Sequence, residues 1–160
     1  MAHPSKTDAE QIQDVILRYN LCINRRDWAG IGAFFAENAV WEAPAVPGAR
    51  FEGREQIAAQ IPKLVGTTDI LTQMNTPSLI AVEGDRATAQ CTVRETGSIF
   101  AADTRFEAHG IYEDELVRRD GAWLFARRRF VVLENWHYPL PRRPATGDRR
   151  RGLTARSGAP

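Results

Sequence analysis

Ala87, Ala89, Cys91 and Val93 alternate with Thr88, Gln90, Thr92 and Arg94. A period of two residues held over this length is the pattern of a strand with one apolar face. Runs of strand character cover residues 70 to 82, 86 to 99, 104 to 119 and 122 to 135. Between them stand Glu83-Gly84-Asp85, a loop near Ala101-Ala102-Asp103, and Asp120-Gly121, all punctuation of the hairpin kind. Four strands joined by hairpins predict an antiparallel sheet.

Upstream of Ile70 the period is that of a helix. Thr7-Asp8-Ala9-Glu10 reads as a capping box, and Ile12, Val15, Ile16, Tyr19, Cys22 and Ile23 then recur at helical spacing, predicting a helix over about 8 to 25. Asp27 can cap a second, short helix containing Trp28, Ile31, Phe34 and Phe35 and ending at Asn38, with a short strand from Ala39 to Glu42. Two prolines and two glycines make Ala43 to Gly53 a loop. Helical spacing resumes from Arg54 to Val65 through Ile57, Ile61 and Leu64, with Pro62 expected to shorten or bend this third helix. Helices first and a meander afterwards give an α+β fold. A strongly twisted antiparallel sheet curves into a cone, and the three N-terminal helices close a pocket inside it.

The chain has 160 residues and 43% hydrophobic content, which suits one core, expected to span residues 1–141. Residues 142–160 carry six Arg against one Asp; the whole chain is +1, so the rest sums to about −4. This tail has almost no large apolar residue and is expected to be disordered. The acidic body has no basic stripe interleaved with aromatics, so no nucleic-acid partner is expected. No run approaches the roughly 18 apolar residues of a membrane span, and the N-terminus has no apolar leader block. Cys22 and Cys91 stand alone and read as buried reduced thiols. The expectation is a soluble cytoplasmic protein.

The string IQDVILRYNLCINRRDWAGIGAFFAENAVWE, the turn Phe51-Glu52-Gly53-Arg54, and Gly110-Ile111-Tyr112-Glu113-Asp114 followed by LVRRDGAWLFARR together resemble the SnoaL-like, nuclear-transport-factor-2-like superfamily. The resemblance covers most of residues 9 to 135 and implies the cone fold. The superfamily includes ketosteroid isomerase, scytalone dehydratase, hexachlorocyclohexane dehydrochlorinase, polyketide cyclases and catalytically silent scaffolds, so fold does not settle function. By this resemblance Tyr19 falls where the isomerase has its oxyanion-binding tyrosine, but Ala43 falls where it has its aspartate base. Asn24 falls where the dehydratase and dehydrochlorinase carry an aspartate that orients a histidine, and Gln73 or Met74 takes the histidine's place. Trp41 matches a pocket-lining position of the dehydrochlorinase. The usual Asp-His dyad is missing, and an acid or base has to come from elsewhere.

Glu95 ends the apolar row Ala87, Ala89, Cys91, Val93. Either it is desolvated there, with a raised pKa suited to proton transfer, or it turns outward as a strand-end residue. Tyr112 and Asp114 share a face with Phe106, Ala108 and Gly110 and should look into the cone, Gly110 leaving room for a ligand. Asp114 reads as a base or ligand anchor, or as an ion-pair partner of one of Arg127 to Arg129. Alternation sends His109 to the outer face with Glu107 and Ile111, unless a bulge reverses it. Met74 and Trp136 join Trp41 as large pocket candidates. Trp136-His137-Tyr138-Pro139-Leu140-Pro141 is expected to fold back over the rim, since its prolines oppose a ladder strand.

No glycine-rich phosphate loop, Rossmann fingerprint or nucleophile elbow occurs, so no cofactor is expected. His3 and His137 lack a second ligand at metal spacing, and no metal is expected. The function that emerges is a cofactor-independent cyclase, dehydratase or isomerase acting on a small hydrophobic, polyketide-like or other ring-forming substrate. Tyr19 would polarise a carbonyl, and Glu95, Asp114 or His109 would move the proton, with Asn24, Trp41, Met74, Tyr112 and Trp136 around the substrate. The alternative is a ligand-binding or assembly module without catalysis. A homodimer through the outer sheet face, which carries Thr88, Thr92, His109 and Ile111, is expected.

Overall fold

The computed structural model describes residues 6–141. His3 and the Arg-rich tail from Arg142 onward lie outside the described residues. In chain order the elements are helix α1 (Asp8–Arg25), a 3-10 helix (Trp28–Phe34), strands β1 (Phe35–Glu42) and β2 (Arg50–Glu52), helix α2 (Arg54–Gly66), and strands β3 (Ile70–Asn75), β4 (Leu79–Glu83), β5 (Arg86–Ile99), β6 (Thr104–Arg119) and β7 (Ala122–Pro139). A further 3-10 turn, Phe100–Ala102, joins β5 to β6.

Helix α1 begins where its capping box places it. The Glu10 amide donates to Thr7 Oγ1, and the Glu10 carboxylate accepts from the Thr7 amide at 2.7 Å. It ends at Arg26, whose φ of 55° turns the chain into the left-handed region. The second helix is of the 3-10 type and stops at Phe34, earlier than Asn38, because Phe35 already enters β1 and is fully buried. Helix α2 continues past Pro62 to Gly66.

The sheet runs β2-β1-β7-β6-β5-β3, with β4 also on β5. It is curved and mixed rather than purely antiparallel, because β1 runs parallel to β7, with Trp41 opposite Arg128. The predicted strand over 70 to 82 is two strands. Pro77 cannot donate to the ladder, so β3 pairs Val93–Ser98 of β5 and β4 pairs Arg86–Gln90. Asp120 and Gly121 both have positive φ, as the two-residue β6–β7 hairpin requires.

Two bulges decide which residues of β7 face the core. The β6–β7 register shifts between Glu115 and Leu116 and again between His109 and Gly110. Both extra residues, Ala126 and Leu133, lie on β7, so the alternation of β6 is unbroken. On β7 the inward set passes from Trp123 and Phe125 to Arg128 and Phe130, then shifts again to place Asn135 and His137 opposite Ala108 and Phe106.

Strand β7 then continues to Pro139, pairing with Thr104, instead of folding over the rim. Proline is tolerated there because β1 covers only Phe125–Arg129, so the end of β7 is an edge.

The concave face packs on the helices through Ile12, Ile16, Tyr19 and Ile23 of α1 and Ile57 and Ile61 of α2, all at most 1% exposed. Burial of each aliphatic side chain here stabilises by roughly 1.5–3 kcal/mol. Cys22 and Cys91 are free and buried, as their contexts indicate. Among the described residues no helix is long and apolar enough to cross a membrane.

Candidate functional site

A cavity of about 160 Å³ lies between the concave face of the sheet and the helices. Its walls are mostly apolar, and its polar atoms come from Tyr19, Trp41, Thr68, Gln73, Glu95 and Tyr112. The partly exposed Val46, Leu64, Val65 and Thr68 mark its mouth.

Strand alternation delivers Glu95 to this cavity, on the same face as Ala87, Ala89, Cys91 and Val93. Opposite it on β3 stands Gln73, 5% exposed, whose side-chain amide donates to the Glu95 carboxylate. Burial pushes the Glu95 carboxyl above the ordinary carboxylate range, and the Gln73 hydrogen bond offsets only part of that. The same Gln73 amide donates to the Tyr112 hydroxyl at 3.2 Å, while Gln73 Oε1 is buried without a partner.

Tyr19, 1% exposed, accepts a hydrogen bond from Trp41 Nε1 at 3.1 Å. Burial raises both phenol pKa values, more than the nearby Arg128 guanidinium lowers them, so both hydroxyls stay protonated. Among the described residues neither hydroxyl has an acceptor for its own proton, which leaves two phenolic donors on the cavity wall.

Beneath this wall, Arg128 is fully buried and pairs with Asp114 at 2.7 Å. Its guanidinium carbon lies 3.6 Å from the centre of the Tyr112 ring, 4.5 Å from that of Tyr19 and 4.6 Å from that of Phe125. Burial pushes the Asp114 carboxyl up to about 6, against the pull of Arg128. Of the two readings of Asp114, the ion pair is the one realised. It faces inward but sits below the tyrosines and does not reach the cavity.

Several sequence expectations need correction. Asn24 does not face the cavity: it accepts from the Gln73 amide at 2.7 Å and donates to the Gln73 carbonyl at 2.9 Å, fastening β3 to α1. Of the two residues considered for the histidine's place, Gln73 points inward, and Met74, the next residue along the strand, is 52% exposed on the other face. Trp136 is 40% exposed on the outer face, because the Leu133 bulge moved it there. It packs edge-on against His109 at 5.4 Å.

His109 lies on the outer face as alternation predicts, 3.1 Å from Glu107 and away from the cavity. Gly110 leaves no room for a ligand: a Cβ there would come within 2.4 Å of the Phe130 ring. Phe106, which strand alternation places on the inner face, and Ile61, on the apolar stripe of α2, also line the wall, as do Phe130 and Leu71, which carry no sequence signal beyond apolar character. Among the described residues, no three His, Cys, Asp or Glu side chains gather where they could share a metal ion.

Residues 5–129 match the family described as the SnoaL-like domain. The fold is similar to that of a candidate scytalone dehydratase from Novosphingobium aromaticivorans, with 20% identity and a TM-score of 0.72 over 85% of this chain and 93% of that one. It is likewise similar to a type 2 hexachlorocyclohexane dehydrochlorinase, at 18% identity and a TM-score of 0.72 over 86% and 93% of the two chains. A protein of unknown function from Mycobacterium tuberculosis is 27% identical, with a TM-score of 0.66 over 77% of this chain and 70% of that one. No curated protein matches the sequence.

Proposed function

This chain belongs to the SnoaL-like family, and from that premise we propose that it is a cofactor-independent enzyme that moves a proton next to a carbonyl of a small hydrophobic substrate, as a dehydratase, isomerase or cyclase does. The observation that carries the reading is Glu95: a carboxylate with a raised pKa, inside a largely apolar cavity, facing two phenolic donors.

In the proposed reaction the substrate carbonyl accepts from Tyr19 or Tyr112. Glu95 removes a proton from the adjacent carbon, and the C–H electron pair passes into the enolate, whose oxygen the phenols stabilise. In an isomerisation the enolate takes the proton back at another carbon. In a dehydration it expels a β-hydroxyl, which leaves as water with the proton held by Glu95. Gln73 orients the carboxylate in the role that the missing dyad would otherwise fill.

Glu95→Gln is the direct test. It should lower turnover of a candidate substrate by roughly 10²–10⁴-fold, the usual contribution of a general base, with binding retained. Turnover near the wild-type rate would remove the assignment.

A second reading, ligand binding without turnover, is favoured by one observation: Asn24 and Gln73 supply neither a carboxylate nor an imidazole for an Asp-His dyad, and Asn24 serves instead to fasten the Gln73 backbone. Binding by Glu95→Gln and by wild type alike, with no turnover by either, would support it. The proposal also places the protein in the cytoplasm, which suits two free buried thiols. It takes the chain as a homodimer through the outer face of β5 to β7.

A further inference from the structure

We infer that the cavity is built for a molecule with a single six-membered ring and no negative charge, carrying an oxygen that accepts hydrogen bonds. This rests on the reading of the cavity as a substrate site and narrows its ligand; a polycyclic, polyketide-sized skeleton does not fit it.

Size is the first argument. An engineered apolar cavity of about 150 Å³ holds one benzene, and this one measures about 160 Å³. It cannot readily widen along the sheet, because the space over Gly97 and Gly110 is already filled by the rings of Phe106 and Phe130. Aromatic rings make up much of its wall, among them Trp41, stacked on Phe51 with ring centres 5.5 Å apart, and Tyr112, tilted against Phe130 at 5.1 Å.

Charge is the second. Among the described residues, and apart from the protonated phenols, Glu95 is the one ionisable side chain in the wall. An anionic ligand would therefore meet a carboxylate and no free cation, since Arg128 is covered by both tyrosine rings and paired with Asp114. A cationic group could pair with the Glu95 carboxylate but would not itself satisfy the two phenolic donors, which need an acceptor. An uncharged ligand oxygen instead accepts from Tyr19 and Tyr112, and a hydroxyl or amide N–H on the ligand can donate to the unpartnered Gln73 Oε1.

Isothermal titration at pH 8 with three probes tests this: benzamide, its anionic analogue benzoate, and the two-ring 2-naphthamide. Benzamide is expected to bind, benzoate at least tenfold more weakly, and 2-naphthamide at least threefold more weakly despite its larger apolar surface. Glu95→Gln should narrow the benzamide-to-benzoate ratio at least fivefold. If that variant fails to fold, the wild-type comparisons of size and charge decide alone. Tighter binding of 2-naphthamide, equal binding of benzoate, or no binding of benzamide overturns the inference. The enzymatic reading fails separately, when the probes bind in the expected order but no substrate is turned over.

Discussion

Gln73 and Glu95 stand opposite each other on β3 and β5, and the Gln73 side chain donates to the Glu95 carboxylate inside the cavity. Elsewhere a buried carboxylate would be a liability, but here its raised pKa is the property a base requires. That cost predicts a trade of stability against function. A carboxyl whose folded pKa lies above its unfolded value contributes stability below the unfolded pKa, and loses it as pH rises through the folded one. Glu95→Gln removes the titration. Its melting temperature should exceed that of wild type at pH 8, and the difference should shrink as pH falls toward 4.5. Thermal melts across that range check it; a variant less stable than wild type at pH 8 would contradict the buried-carboxylate account.

Asn24 is a structural clamp. Asn24→Ala, by stranding the buried Gln73 backbone groups, should cost about 1–3 kcal/mol in urea unfolding. Asn24→Asp should also destabilise, since a carboxylate cannot donate to the Gln73 carbonyl, and it should not create activity. A neutral effect of both substitutions would remove the clamp.

The Arg128–Asp114 pair predicts strong non-additivity. Asp114→Leu or Arg128→Met alone leaves one buried charge without its partner and should cost about 3–5 kcal/mol. The double replacement Asp114→Leu with Arg128→Met should cost less than the two single changes added together. Chemical denaturation of the four proteins in a double-mutant cycle measures the coupling; additive losses would show that the pair does not act as a unit.

The sequence made much of this fold legible, and the misreadings have physical causes. Helix α1 could be read to its cap because Thr7 and Glu10 are adjacent in the chain and their interaction is local. Glu95 could be placed on the inner face because β5 alternates without interruption. Strand β7 could not be read that way. Ala126 and Leu133 are bulges specified by the partner strand, not by their own identity, and each reverses the faces beyond it. Hence the arginine that pairs with Asp114 could not be chosen among three neighbours. Trp136 was expected over the rim because Pro139 and Pro141 oppose a ladder strand, but β7 continues as an edge to Pro139. Gln73 and Met74 were ambiguous because one residue of register separates a cavity wall from solvent.

The outer face of β5 to β7, where Arg94 and His109 meet Glu107 and Trp136 covers His109, is expected to pair with a second copy. Light scattering at micromolar concentration should give twice the 17.9 kDa chain mass. A value near one chain mass would refute the dimer.

Removal of a proton by Glu95 from carbon beside a carbonyl can be tested before any natural substrate is known. Cyclohexanone and cyclohex-2-enone are incubated with the protein in D₂O, and loss of the exchangeable C–H signals is followed by NMR. The account predicts saturable exchange faster than buffer alone, rising with pH through the raised pKa of Glu95 and falling at least 100-fold in Glu95→Gln, in line with the contribution of a general base. Exchange no faster than buffer, or undiminished in Glu95→Gln, would contradict it.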